Sequence, residues 1–225
     1  ESEELVPFET VDINMGCPVP KIFKNGEGSA LMETPELAEK IVGEVKKSGK
    51  IVTVKCRIGV TREKICAVEF CKRLAGAGAS AITVHGRTRN EMYTGEPDYG
   101  VIAAVKNAVD VPVIANGGIF SVEDAENMMN KTGADGVAIA RAALYDPQIF
   151  CDFSGRERKP LYDVVKRQTE ETRTLFGERF ATVFMRKMTA FYLRGTRNAA
   201  AYKARLFSCK NSEEVISLAR EIFAR

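Results

Sequence analysis

The sequence has one histidine, and none of its six cysteines are paired in a Cys-x-x-Cys spacing. Structural zinc sites are built from such pairs and from histidines, so we expect free thiols and no metal. No apolar run approaches the roughly 20 residues that a membrane-spanning helix needs. The first ten residues are too acidic and too polar for a secretory signal. We therefore expect a cytoplasmic protein; the oligomeric state is unknown, and we take a monomer as the working assumption.

Negative charge is scarce in the C-terminal third of the 225 residues. Residues 1–150 carry 17 Lys/Arg and 21 Asp/Glu, a net charge of −4, whereas residues 151–225 carry 16 and 9, a net charge of +7. Residues 181–210 hold seven basic residues and no acidic one. Such a surface is suited to a polyanion.

Short β-branched runs alternate with helical patterns along the first two thirds of the chain. Five runs read as strands buried on both faces, at 10–14, 51–59, 81–87, 111–118 and 135–141. The segments between them have the length and the apolar spacing of helices. This alternation predicts a parallel sheet covered by helices, either an open doubly wound sheet or a barrel.

Polar residues at the end of every predicted strand favour the barrel. Barrel enzymes build their active site from successive strand ends, whereas a doubly wound sheet concentrates it at one switch point. We therefore predict an α/β fold of the TIM (β/α)8 type. Only about five βα units are found where a closed barrel needs eight, so we expect that about three N-terminal units are absent from the sequence.

After residue 150 the pattern changes to helices only. We predict a partial barrel catalytic domain at 1–150, a linker at 151–160 and an all-helical basic domain at 161–225. Helices are expected at 161–176, about 180–194, 198–207 and 212–224.

Several strand-end residues are candidates for chemistry. Lys55 lies within a buried strand, where an unpaired charge is costly, so we interpret it as a site residue that faces an anionic or electron-rich group. His85 ends the third strand and is either structural or functional. The glycines of the Asn116–Gly118 turn either bind a phosphate through backbone N–H groups or cap a helix, and Arg141 on the next strand favours the phosphate.

Cys17 lies in a Gly-Cys-Pro turn directly after the first strand. Pro18 stiffens this turn. The thiol is therefore placed as a proton donor or a nucleophile over the mouth of the barrel.

Five motifs in order resemble the tRNA-dihydrouridine synthases, most closely their bacterial B-type branch. They are DINMGCPVPKIFKNGEGSALM, VTVKCRIG, ITVHGRTRNEMYTGEPDY, VPVIANGGIFS and DGVAIARAAL. The tail, with MRKMTAFYLRG, is similar to the helical tRNA-binding domain of that family. The resemblance implies an FMN-containing barrel that takes a hydride from NADPH and reduces a flipped-out uridine of tRNA at its C5–C6 double bond.

The resemblance also implies roles for particular residues. Cys17 would be the general acid that protonates C5. The flavin would be held by a set of strand-end residues: Lys55, His85, Asn116, Gly117, Gly118, Ala140 and Arg141. The substrate would be contacted by Asn14, Arg87, Arg194, Arg197 and Lys203.

Two departures from the family pattern leave alternatives open. Ala140-Arg141-Ala142 stands where the family commonly has Gly-Arg-Gly, so added methyl groups would weaken a close approach to the phosphate. The family's first three strands, including a loop against the flavin, are not in this sequence. The alternatives are an FMN-dependent barrel reductase of a small molecule, similar to dihydroorotate dehydrogenases, and a flavin-free RNA-binding remnant.

Overall fold

The computed structural model describes residues 8–224, so the predicted domain limits at residues 1 and 225 and most of the amino-terminal stretch lie outside the described residues. Five parallel strands form one sheet in the order β1-β2-β3-β4-β5. The strands are β1 (Thr10–Met15), β2 (Ile51–Arg57), β3 (Ala81–His85), β4 (Val113–Asn116) and β5 (Gly136–Ala138). The predicted α/β fold with a five-stranded parallel sheet is confirmed, and it is compatible with a TIM-barrel-like fold.

The two faces of the sheet differ in polarity because side chains alternate along each strand. On one face, Val52, Val54 and Ile82 are fully buried. Helices cover that face, which explains the β-branched composition of the strands. On the other face Asp12 and Thr53 meet, and the Thr53 hydroxyl donates to the Asp12 carboxylate at 2.7 Å. This second face therefore carries the polar side chains.

The helices of this part of the chain follow the predicted order. They are α1 (Pro20–Lys24), α2 (Pro35–Lys46), α3 (Ala67–Gly76), α4 (Tyr99–Lys106) and α5 (Val122–Thr132), with short 3-10 helices at Gly28–Glu33 and Arg62–Lys64. At the start of α5 the Ser121 hydroxyl accepts a hydrogen bond from the Asp124 amide at 3.1 Å. Gly133 ends α5 in the left-handed conformation, with φ 65°.

The chain divides into two compact units, Glu1–Ile139 and Ala140–Arg225. This division lies before residue 150, where the sequence predicts the end of the barrel domain. The predicted linker at 151–160 also differs, because its first residues belong to a helix, Ile149–Ser154. Gly155 ends that helix in the left-handed conformation, so the irregular stretch is 155–160.

The described part of the second unit, residues 140–224, contains helices and no strand. The helices are α6 (Arg141–Tyr145), α7 (Ile149–Ser154), α8 (Leu161–Phe176), α9 (Glu178–Tyr192), α10 (Ala199–Ser208) and α11 (Ser212–Phe223). Their apolar faces meet in a core around Val165, Met185, Leu193, Leu206 and Val215, each fully buried. The last four helices lie within two residues of the bounds expected from the sequence.

Two further properties concern residues 8–224 only. No helix in this range is both long enough and apolar enough to cross a membrane. The same range contains no group of three or more His, Cys, Asp or Glu side chains placed to hold a metal ion.

Candidate active site

Two rows of side chains lie at the carboxyl ends of the strands. In the first row the backbone register pairs Asn14 with Lys55. In the second row it pairs Arg57 with His85, and His85 with Asn116. Parallel strands end at the same edge of a sheet, so polar residues from four separate segments of the sequence meet there.

The backbone of Cys17 is held on both sides. Arg57 Nε donates to the carbonyl oxygen of Gly16 at 3.0 Å, in the peptide group that joins Gly16 to Cys17. The backbone N–H and the hydroxyl of Ser29 donate to the carbonyl oxygen of Cys17 at 3.1 and 2.8 Å. The thiol is half-buried and makes no hydrogen bond with residues 8–224. The turn therefore fixes Cys17 and leaves its S–H group available.

Gly28 allows this arrangement because it packs directly against Cys17. Its φ is 60°, and a Cβ at this position would lie 2.8 Å from the Cβ of Cys17. Gly26 also has positive φ, at 79°, but a Cβ there would have no neighbour within 4 Å. Both positions favour glycine for their conformation, and only Gly28 also requires glycine for space.

Asn14 presents its amide N–H group towards the site. Its side-chain oxygen accepts a hydrogen bond from the Gly16 backbone N–H at 3.0 Å. That bond closes a turn of the kind that asparagine side chains make with the backbone two residues on. The Nδ2 group is therefore the part of the side chain that can donate to a ligand.

A cavity of about 560 Å³ opens beside Asn14 and Cys17. Its remaining walls are mostly apolar and come from the loop after β1 and from α2: Ile22, Gly26, Glu27, Gly28, Leu31, Leu37 and Ile41. Small-molecule sites usually combine apolar walls with a few polar groups. The loop with Gly26 and Gly28 therefore forms part of the wall of this cavity.

Burial lowers the pKa of Lys55 below its ordinary value. The neighbouring Arg57 cation acts in the same direction, whereas Cys56 and Asp12 oppose it. The ammonium group forms no hydrogen bond or ion pair with any residue between 8 and 224. A half-buried cation of this kind fits an anionic or electron-rich ligand, as flavins are.

Arg87 lies inside the protein, with 4% of its surface exposed. Its Nη2 donates to the Gly95 carbonyl oxygen at 2.6 Å, and its Nε donates to that of Thr94 at 3.1 Å. Its Nη1 lies 3.2 Å from Nε2 of His85, which is also buried. The guanidinium therefore contacts the Thr94–Gly95 loop and His85, a residue predicted to bind the flavin, and it does not lie on the protein surface.

The turn after β4 packs closely against His85. Gly117 and Gly118 have φ of 121° and 71°, and a Cβ on Gly117 would lie 2.8 Å from Cδ2 of His85. The Asn116 side chain donates to the Ala138 carbonyl oxygen at 2.7 Å. A side chain at Gly117 would collide with His85, so the close packing of this turn against the histidine requires glycine.

The other predicted site residues belong to the second unit. Ala140 immediately precedes α6, and Arg141 is the first residue of that helix rather than the end of β5. Arg194, Arg197 and Lys203 are all exposed. The guanidinium of Arg194 also stacks over the Tyr145 ring at 4.3 Å.

Comparison with known proteins decides the family. The family described as dihydrouridine synthase (Dus) matches residues 3–225. The chain belongs to the dihydrouridine synthase family. This membership confirms the resemblance found in the sequence motifs, including the similarity to the bacterial B-type branch described next.

Among curated dihydrouridine synthases, the chain is 41% identical to the probable tRNA-dihydrouridine synthase 1 of Synechocystis, covering 92% of this chain and 61% of that protein. It is 35% identical to tRNA-dihydrouridine synthase B of Pseudomonas aeruginosa, covering 96% and 68%. It is also 35% identical to the B enzyme of Pasteurella multocida, covering 83% and 60%. The chain thus spans about three fifths to two thirds of the length of these relatives.

Two arginines of the first unit were given no role in the sequence analysis. Arg57 is 2% exposed and its Nη1 also donates to the carbonyl oxygens of Thr88 and Met92, both at 2.9 Å. Arg89 stacks over the Phe23 ring at 4.2 Å. The signal for Arg57 was its place on the same strand face as Lys55, two residues on.

Proposed function

We propose that this protein is a tRNA-dihydrouridine synthase that uses FMN and NADPH to reduce the C5–C6 double bond of uridines in tRNA. The observation that carries the proposal is the Cys17 turn. A half-buried thiol with a fixed backbone lies beside a cavity and the Asn14 amide. The relatives are named tRNA-dihydrouridine synthases, and Asn14, Lys55, His85 and Asn116 lie at the ends of four neighbouring strands.

Cys17 acts as the general acid. Saturating the double bond requires a hydride at C6 and a proton at C5, and the bound reduced flavin supplies the hydride. The Cys17 thiol gives its proton to C5, which leaves a thiolate that regains a proton from solvent. Asn14 orients the base by donating from Nδ2 to a uracil carbonyl oxygen.

The strand ends hold the flavin. Lys55 would place a cation beside the flavin, and His85 would contact it. The backbone of Asn116, Gly117 and Gly118 would bind the phosphate. The family resemblance also assigns Ala140 and Arg141 to FMN binding.

The second unit binds the tRNA through its phosphates. Arg194, Arg197 and Lys203 are exposed and lie in the part of the chain that has no acidic residue between 181 and 210. Electrostatic contacts of this kind supply affinity without sequence information. Arg87, which the resemblance places near the tRNA, is buried, so we assign it an indirect role through the loop that it holds.

The test is to measure flavin absorbance of the purified protein and NADPH-dependent dihydrouridine formation in unmodified tRNA. The wild-type protein is expected to carry FMN and to form dihydrouridine. Cys17→Ala should keep the flavin and lose about 100-fold or more in rate, the usual contribution of a general acid.

Cys66→Ala is the matched control, since Cys66 is another half-buried free cysteine of the same unit. It should leave the rate unchanged. A protein that binds tRNA but carries no flavin would be the RNA-binding remnant, and a reductase that ignores tRNA would be a small-molecule enzyme. Unchanged dihydrouridine formation by Cys17→Ala would refute the role of Cys17.

A further inference from the structure

The contact between Arg87 and His85 determines which ring nitrogen of the histidine carries a proton. A guanidinium has only N–H donors and stays protonated at any pH that the protein meets. Nη1 of Arg87 lies 3.2 Å from Nε2 of His85. In this hydrogen bond Arg87 must donate, so Nε2 must accept. A neutral imidazole whose Nε2 accepts carries its proton on Nδ1.

The surroundings of His85 oppose a second proton on the ring. Arg87 contacts it directly, and Arg57 is its register partner on the neighbouring strand β2. From the loop after β3, the ring of Tyr93 lies 6.4 Å away. From β4 the neighbours are Asn116 and Gly117, which carry no charge. An imidazolium would thus add a positive charge beside two buried guanidinium groups.

The acidic groups of the same loop have other partners. Glu91 accepts from the Thr88 backbone and hydroxyl and from Arg62. Asp98 accepts from Arg62 at 2.9 Å. Neither carboxylate is bonded to His85.

The position of Arg87 is itself fixed. Its other nitrogens donate to the carbonyl oxygens of Thr94 and Gly95, and the guanidinium is buried. Gly117 encloses the Nε2 edge of the histidine, because a Cβ there would lie 3.0 Å from Nε2 and 3.3 Å from Nη1 of Arg87. The ring nitrogen from which His85 can donate to a ligand is therefore Nδ1.

We propose that Arg87 is a positioning residue that holds His85 as the neutral tautomer protonated on Nδ1 and links it to the Thr94–Gly95 turn. His85 then serves its ligand as a hydrogen-bond donor through Nδ1 and takes no part in proton transfer through Nε2. The tautomer follows from the protein alone. Its use against the flavin rests on the proposed function.

The single histidine of the chain makes the tautomer directly measurable. In protein labelled with ¹⁵N-histidine, a long-range ¹H–¹⁵N spectrum resolves one imidazole. The expected result at neutral pH is a protonated Nδ1 and an unprotonated Nε2. A proton on Nε2 at neutral pH, in either the other tautomer or the imidazolium, overturns the proposal.

Two variants separate positioning from simple structural support. Arg87→Lys keeps a donor and should keep the Nδ1–H tautomer. Arg87→Met removes the donor, so its histidine should populate the Nε2–H tautomer at neutral pH. An Arg87→Met spectrum identical to that of the wild type counts against the proposal. If Arg87→Met fails to fold, the wild-type spectrum still decides the tautomer.

The consequence for the ligand is measured separately. Arg87→Met is expected to raise the dissociation constant for added FMN about tenfold, the effect of one weakened hydrogen bond, and Arg87→Lys less. If the wild type binds no FMN, the proposed function fails while the tautomer result stands. If FMN binds the wild type and Arg87→Met equally, the positioning role fails instead.

Discussion

The two units of this protein use positive charge in opposite ways. In the first unit, Arg57 and Arg87 are 2% and 4% exposed and donate to backbone carbonyl oxygens of the loop after β3. In the second unit, Arg194, Arg197 and Lys203 are exposed. A buried guanidinium with fixed partners determines geometry, whereas exposed charges add up to an electrostatic attraction. Single substitutions should therefore have large effects in the first unit, whereas in the second unit large effects should need combined substitutions.

The largest effect is expected from a single methyl group beside Cys17. Gly28→Ala places a Cβ 2.8 Å from that of Cys17. Displacing a reacting group by about 1 Å can cost about 100-fold in rate, so we expect a loss of that size in dihydrouridine formation.

Gly26→Ala is the matched control for that variant. Gly26→Ala introduces the same strain of a side chain at positive φ, which costs about 1 kcal/mol of stability. Its added Cβ would have no neighbour within 4 Å. Thermal unfolding should show the larger loss for Gly28→Ala, because only that variant adds the collision with Cys17. Equal rates for the two variants would show that the Cys17 turn does not need its present geometry.

Neutralising three exposed basic residues of the second unit together should have the next largest effect. Arg194→Gln, Arg197→Gln and Lys203→Gln together should weaken tRNA binding about tenfold or more at physiological salt, and the slope of log affinity against log salt should fall by about 2 to 3. Titration of tRNA at several salt concentrations measures both quantities.

The control for charge neutralisation lies in the first unit. Lys40, Lys47 and Lys72 are exposed lysines on or beside its helices. Changing these three to Gln removes the same net charge from the other unit and should leave the salt slope unchanged. A slope that falls equally in both triple variants would assign the effect to net charge rather than to this surface.

Lys55→Met tests how much the buried cation destabilises the folded state. The pKa of Lys55 is lowered by burial, so the unfolded chain binds its proton more tightly than the folded one. The charge therefore destabilises the folded state at neutral pH, and Lys55→Met should be more stable by about 1 kcal/mol while binding FMN more weakly. The stability difference should shrink as pH rises towards 10.5, the ordinary pKa of lysine.

The smallest predicted effect is a difference in tRNA binding between single variants of two basic residues of the second unit. Arg205 forms two hydrogen bonds of 2.6 Å to the Glu221 carboxylate, whereas Arg197 forms no ion pair with any described residue. Arg197→Gln should weaken tRNA binding about twofold to threefold, and Arg205→Gln less, because its charge is already compensated. Equal losses in a tRNA titration would show that the pair opens on binding.

The positions of the strands and helices were predictable because each follows from local periodicity. The β-branched runs gave the five strands, although β5 ends at Ala138 and leaves Arg141 in a helix. The chain divides between Ile139 and Ala140, whereas the sequence predicts the end of the barrel domain at residue 150. Cys17, Lys55 and His85 were candidates from their positions at strand ends alone.

The sequence by itself determined the alternation of strands and helices, the family, and the residues that meet at the strand ends. Only the tertiary structure decided that Arg57 and Arg87 point inward. A guanidinium can lie on the surface or in the interior, and its position depends on hydrogen-bond acceptors from other segments of the chain. For Arg57 those acceptors are the carbonyl oxygens of Gly16 and Met92, 41 and 35 residues away. No local pattern encodes a bond between such distant segments.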